Sequence, residues 1–458
     1  MPAGYCIPAY LAGTVLGGKF MSVPAMVSLV AIVLGIVFIV IRSFQGHQPF
    51  LSCIIATVFV CLLSGLNVSD GIATSFASGT ANMLQSMLLF FCACTTFGRL
   101  MEETGYAHSI AYFIADHVNA KWAPTIIFLA TVVLAMGGML IATCIIVYPI
   151  GMILLSRANY SKRILVGANV SGFWTVTCCS PLIPSAANNL LQNLLGTTSS
   201  AGLVPGLATT AFLFITIIAY LQWQVYHWQK KGICFENWDE LNEHVGQEVD
   251  RSTLPPVWEA ILPIVVVLIL YNVFAIPVAV AMLAAVVVIG VFRWKQLKAS
   301  KWVEAVETGL YEGVIPALNL SVMGGFGTVV ALTPFYQFVL EWLAQTTINP
   351  YILSWGGAAI MAGIIGSSTS AIATLVPSIL PILQGYVAQG YDIGVIHRLM
   401  CVGSVSLDSL PHNGSLLACS SLMKSNLKES YWPICVTCTI LPILGGLCIT
   451  LPMALLGF

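Results

Sequence analysis

The sequence predicts an all-α polytopic membrane protein of about fourteen spans, some of them broken or re-entrant, arranged as two inverted repeats. Three observations carry this reading. Of the 458 residues, 58% are hydrophobic and only 8% are charged, where a soluble domain has about a quarter charged. Apolar stretches near the ~20 residues of a spanning helix recur from end to end. The polar residues inside those stretches gather in a few places that also hold Pro or Gly, rather than being spread evenly. A net charge of −1 says nothing about partners, and no basic stripe suggests nucleic acid. Nothing resembles a phosphate-binding loop, so ATP is not the energy source. The 14 cysteines lie scattered in apolar segments. None has the spacing of a metal site, so they read as small packing residues and no metal or other cofactor is expected.

Residues 1–22 form an N-terminal extension whose sole charge is Lys19. It lacks the basic start of a secretory signal, and Met21 is an alternative first residue. A first membrane repeat follows over 23–223, with apolar spans at 24–41, 49–66, 79–99, 123–140, 143–157, 162–180 and 202–223. The segment 224–256 is the one sizeable polar insert. Trp238, Leu241 and Val245 lie near helical spacing in it, so a linker carrying a short surface helix is expected. The second repeat, 257–458, has spans at 257–271, 275–292, 314–333, 350–365, 368–385, 394–409 and 431–456. The short spans 143–157, 257–271 and 394–409 are candidates for broken helices or arms of re-entrant hairpins, which membranes tolerate only inside protein or beside a cavity. With the N-terminus outside and fourteen crossings, only Lys19 and Arg398 of the 17 Lys and Arg residues fall outside. That bias orients the chain in the cell membrane with the linker in the cytoplasm.

The two halves run through similar events in the same order. In the first, FASGTANM (76–83) leads to a span, then Pro149 in an apolar run, the basic turn at Lys162 and Arg163, and PSAANNLL (184–191). In the second, LYEGVIPA (310–317) leads to a span, then Pro377, the turn at His397 and Arg398, and DSLPHNGSLL (408–417). The offset is about 230 residues, and the orientation above gives the copies opposite directions, a common plan of secondary transporters.

Four polar stretches lie at membrane depth. Asn169–Asn193 gathers amides and hydroxyls around Pro181 and Pro184, including Ser185, Asn188 and Asn189. Single hydroxyls in a span are ordinary glue between helices, but two prolines beside a run of amides point to a break. Gly366–Ser370 supplies Ser367, Ser368 and Thr369 at the start of a helix. Capping there leaves N–H groups that attract an anion, and close packing of small side chains is the plain alternative. Gly403–Ser415 holds Asp408, His412 and Asn413 around Pro411. An ionisable residue in hydrocarbon is costly and usually faces a partner or a wet cavity. The fourth is the pair Gly79–Asn82 and Asn319–Gly327, which reads either as hairpin tips with unwound backbone or as tight packing. Arg163 and Arg398 sit at predicted span edges and are expected to snorkel, with gathering of anions by Arg398 as an alternative. No Lys or Arg is placed deep in a span.

Ser185, Asn188, Asn189, Ser367, Ser368, Thr369 and Asn413 are therefore expected to surround an anionic cargo, with helix N-termini supplying most of the positive potential. Asp408 and His412 are the candidates for carrying a coupling proton. Four residues apart, they share one face of a helix unless Pro411 interrupts it.

These motifs resemble those of the gluconate:proton symporter family of bacterial permeases, within the ion-transporter superfamily. The likeness runs over nearly the whole chain from Met21. MVSLVAIVLGIVFIVIRSFQGHQPF (26–50) is similar to that family's first span and turn. GRLMEETGYAHSIA (98–111) is similar to its Gly-Lys-Leu-Met-Glu-x-Ser-Gly segment, and SLDSLPHNGSLLA (406–418) to a branch related to hydroxybutyrate permeases. The resemblance implies cation-coupled uptake of a small hydroxy-monocarboxylate such as gluconate or hydroxybutyrate, two inverted repeats and a homodimer. This chain departs from the gluconate permeases at CCSPLIPSAANN (178–189), where they carry histidine. That favours a smaller or less hydroxylated acid.

The expected function is a secondary active symporter, not an enzyme, with a small organic anion and the lipid bilayer as its partners. The proton is the expected coupling ion and sodium stays open. A sodium-coupled di- or tricarboxylate transporter is the nearest alternative. A cation/proton antiporter would want acidic pairs deep in the membrane, and Asp408 stands nearly alone.

Overall fold

Apolar segments that must leave water satisfy their backbone groups internally, and helices do so within one segment. The computed structural model describes residues 15–16, 19–45, 49–117, 119–136, 142–237, 254–295, 299–345, 348–411 and 413–458, and these are helical almost throughout. Among them the strands are Val15–Leu16 and Lys19–Phe20, paired antiparallel ahead of the first helix.

The first half contains α1 (Val23–Phe44), α2 (Pro49–Ser64) and the 36-residue α3 (Val68–Glu103). The short α4 (Tyr106–His117) follows, then α5 (Ala123–Met136) and α6 (Ala142–Ala158). Next come an interrupted pair, α7 (165–179) and α8 (Ala186–Leu195), and the long α9 (Leu203–Lys230). The second half repeats this order. It has α10 (Val257–Asn272), α11 (Val278–Arg293), the long α12 (Ala299–Val330) and the short α13 (Pro334–Gln345). It continues with α14 (Pro350–Ile365), α15 (Ser368–Ala388), the interrupted pair α16 (Ile393–Ser406) and α17 (Gly414–Leu422), and α18 (Leu427–Leu455).

Among the described residues, four helices are long and apolar enough to cross a bilayer alone: Val68–Glu103, Leu203–Lys230, Lys301–Val330 and Leu427–Leu455. Helix α15 joins them if its two arms, Ser368–Pro377 and Ile379–Ala388, count as one span bent by 71°. Pro381 explains the bend, because it has no N–H for the carbonyl of Pro377 and its ring crowds that carbonyl. Several of the expected spans are shorter helices, such as the 16-residue α10 and α11. At 1.5 Å per residue these fall short of a hydrocarbon core of about 30 Å. Helix α9 runs to Lys230, past the point where the sequence suggested a linker, and Gln224 is buried on it. The surface helix expected around Trp238–Val245 lies outside the described residues.

The Gly-rich pair Gly79–Asn82 and Asn319–Gly327 is neither hairpin tip nor unwound backbone. Both stretches lie inside α3 and α12, which run antiparallel against each other. A Cβ on Gly313 would stand 2.5 Å from Cys92 Cα, and one on Gly309 would stand 2.5 Å from Thr96 Cα. Gly79 and Gly325 are crowded in the same way by Thr328 and Thr80. Small residues let the two backbones touch, and in lipid such contact replaces the hydrophobic effect as the packing force.

Helices α4, α10 and α11 are tied by a buried ion pair. Arg293 Nε lies 2.6 Å from Glu259 Oε1, its Nη2 donates to Glu259 Oε2 at 3.0 Å, and the Tyr106 hydroxyl donates to Glu259 Oε1 at 2.6 Å. Removing one charge leaves the other stranded. Glu259→Gln is therefore expected to lower stability by about 3–5 kcal/mol, read as a fall in the midpoint of thermal unfolding.

Candidate functional site

Helix α7 reaches its first break through a π-helical turn over Ser171–Val176, the kind of local widening that is frequent at functional sites. It ends at Cys179, where Ser180 turns extended at φ −76° and ψ 131°. Pro181 and Pro184 cannot donate to a continuing helix. The Ser185 hydroxyl then caps α8 by accepting from the Asn188 amide at 3.3 Å. Asn188 closes the break. Its Nδ2 donates to Ser180 O at 3.1 Å, Ser185 Oγ at 2.9 Å and Cys178 O at 3.3 Å. Its Oδ1 accepts from Arg398 Nη1 at 3.0 Å and lies 3.3 Å from His397 Nε2 and from Cys401 Sγ. Asn272 of α10 holds the break from outside, donating to Leu182 O at 2.9 Å.

The second break is built in parallel. Helix α16 ends at Ser406, and Asn413 caps α17 by accepting from the Leu416 amide at 2.9 Å. Asn413 Nδ2 donates to Asp408 O at 2.8 Å, so this amide too is spent on closing its own break. Asp408 is fully buried. Its carboxylate accepts from Ser409 Oγ at 2.8 Å and from Trp174 Nε1 in the π turn of α7, and the hydroxyl and amide N–H of Ser368 face it. Among the described residues no Lys, Arg or His pairs with it.

Ser368 opens α15, whose cap is Ser367; the Ser367 hydroxyl accepts from the Ser370 amide at 3.3 Å and lies 3.3 Å from Thr369 Oγ1. Gly366, at φ 70°, ends α14 in the left-handed conformation, so the tip between the two helices is two residues long. The helix start at which an anion was expected thus faces the chain's own Asp408 carboxyl. Thr369 is half-buried. The side chain of Asn189 is nearly buried and makes no hydrogen bond among the described residues. Ser368, Asp408 and Trp174 thus come together, whereas Asn188 and Asn413 serve separate breaks. His412 lies outside the described residues.

Arg398 does not lie where the sequence places it. It was expected at the outer span edge, snorkelling, and among the described residues it is the largest fully buried side chain. Asp392 caps α16 at its start, so Arg398 falls in the second turn and faces the first break. Its Nε and Nη2 donate to Ala201 O at 3.2 and 3.0 Å, and its Nη1 donates to Cys179 O at 3.0 Å. Gly202 and Gly206 at the start of α9 make the recess. A Cβ on Gly202 would lie 2.5 Å from Arg398 Cβ, and one on Gly206 would lie 2.9 Å from its Nε. That spacing of two glycines, in GLVPG (202–206), was the available signal. His397, also fully buried, pairs its Nδ1 with Thr197 Oγ1 at 2.6 Å. From the sequence His397 was read only as part of a turn with Arg398, whereas both lie inside α16, and Trp174 was not singled out.

Comparison with known proteins places the chain in a family. Residues 25–279 match the model of the GntP family permeases. An uncharacterized transporter, YxjC, of Bacillus subtilis (strain 168) is 22% identical over 88% of this chain and 94% of its own length. A gluconate permease of Pseudomonas aeruginosa is 22% identical over 77% of this chain and 81% of its own length. Among solved structures, the YdaH transporter of Alcanivorax borkumensis superposes with a TM-score of 0.55 at 12% identity, over 95% of this chain and 99% of that one. At that identity the likeness is one of fold.

Proposed function

The chain belongs to the GntP family of permeases, and from that premise we propose that it takes up a small hydroxy-monocarboxylate, of the gluconate or hydroxybutyrate kind, together with a proton. It is a membrane transporter. One observation carries the coupling: the Asp408 carboxylate sits on the N-terminus of α15, among Ser368, Ser409 and Trp174. A helix N-terminus of this kind suits one carboxylate. A buried carboxylate without a cationic partner is stabilised by becoming neutral. Protonated Asp408 no longer needs those donors as a charge does, and they become available to a second carboxylate, that of the cargo. Proton and cargo then favour each other's binding through ordinary linkage. Ser367 and Thr369 flank Ser368 with hydroxyl groups, and Asn189 of the first break offers an amide, for the hydroxyls of the acid.

The proposal extends to two inverted repeats and a homodimer in the cell membrane, with the N-terminus outside and the linker cytoplasmic. The recurring order of helices and the Lys and Arg bias support the repeats and the orientation, and the homodimer rests on the family resemblance alone. Uptake of a panel of short mono-, di- and tricarboxylates into proteoliposomes, under imposed pH or sodium gradients, tests the reading. Hydroxy-monocarboxylate uptake driven by pH supports it, and uptake of di- or tricarboxylates driven by sodium alone overturns it. In the same assay Asn189→Ala and Thr369→Ala are expected to raise the half-saturation concentration. Unchanged kinetics in both would remove them from the site.

A further inference from the structure

The first break contains a positive charge with no negative partner among the described residues. Buried guanidinium groups ordinarily face a carboxylate, yet every hydrogen bond of Arg398 goes to a neutral oxygen: Cys179 O, Ala201 O or Asn188 Oδ1. Cys179 is the last residue of α7, so its carbonyl is one of those a helix end leaves without an internal donor. It also marks the negative end of the helix dipole. Two backbone carbonyls and an amide oxygen, gathered at the C-terminus of a half-helix, are what a transporter offers to an alkali cation. Here a side chain fills the place, and the recess of Gly202 and Gly206 admits its stem. The second break has the reverse character, a buried carboxylate that no Lys or Arg among the described residues reaches.

We infer that Arg398 is a tethered stand-in for a coupling cation at the first break, so that only the second break takes up a mobile cation during transport. The consequence, one mobile cation per cargo anion, rests on the transport reading above. The test does not. It uses the purified full chain without any carboxylate, and it follows thermal unfolding in choline, sodium, potassium or millimolar guanidinium chloride.

The wild-type midpoint is expected to be the same in all four. Arg398→Ala is expected to be destabilised in choline and restored, saturably, by sodium, potassium or guanidinium. Arg398→Lys keeps a tethered charge and is expected to stay indifferent to the salt. Should Arg398→Ala fail to fold in choline, recovery of monodisperse protein only when one of the small cations is present throughout purification supports the inference. The inference is overturned if Arg398→Ala matches the wild type in choline, or if none of the small cations stabilises or recovers it. A cation-dependent Arg398→Ala protein together with a wild type that moves no carboxylate would refute the cargo and leave the stand-in role intact. Carboxylate uptake by Arg398→Ala that ignores every cation does the reverse.

Discussion

Asp408→Asn is expected to leave exchange of the carboxylate across the membrane intact and to abolish its accumulation against a gradient. The amide is close in shape to the carboxylate it replaces, so Ser409, Trp174 and Ser368 keep a partner of similar size. It carries no charge to compete with the cargo for the start of α15, and it has no proton to gain or lose. Cargo affinity, which should fall with rising pH in the wild type as Asp408 regains its charge, should become flat. A one-unit pH gradient supports about tenfold accumulation of a cargo that moves with one proton, and Asp408→Asn should reduce this to equilibration. Equilibrium exchange and pH-jump uptake in the same proteoliposomes separate the two properties. Wild-type accumulation by the variant would remove Asp408 from the coupling.

Asn188→Ala is expected to cost both fold and transport. The one amide closes the break between α7 and α8 through its nitrogen and receives Arg398 through its oxygen. Its loss strands a donor of a buried cation and opens several backbone carbonyls at once. Each buried group left unpaired costs about 1–3 kcal/mol. A large fall in the unfolding midpoint, with no measurable uptake, is therefore the expected result. The adjacent Asn189→Ala should change the half-saturation concentration and leave the midpoint nearly where it was, because that side chain has no partner among the described residues. The neighbouring pair thus separates a residue that builds the break from one proposed to face the cargo.

The fold class was legible because a chain 58% hydrophobic and 8% charged has few other ways to satisfy its backbone. Both breaks were legible for a local reason: Pro181, Pro184 and Pro411 remove donors, and the amides that replace them sit a few residues away. The span count was harder to read, since helices such as α10, α11 and α16 are shorter than a crossing and hydropathy alone cannot say which pair up in hairpins. Arg398 was misplaced because a basic residue near the start of an apolar run looks the same whether it meets water or a recess. The recess is made by Gly202 and Gly206, almost two hundred residues earlier in the chain. Trp174 was hidden for a related reason: an indole in an apolar run resembles any lipid-facing aromatic until its N–H is seen to reach Asp408. The seam between α3 and α12 shows the converse error. Glycines that suggested unwound backbone are there to bring two intact helices into contact.

Proton and carboxylate fluxes recorded together in the same vesicles test the central claim most directly. The preparation is the full chain, supplied with a short hydroxy-monocarboxylate, with the membrane potential clamped and sodium absent. The account predicts that each carboxylate enters with one proton, and that Asp408→Asn still exchanges carboxylate but moves no protons with it. Carboxylate entry in the wild type without proton movement, or entry that requires sodium, would contradict it.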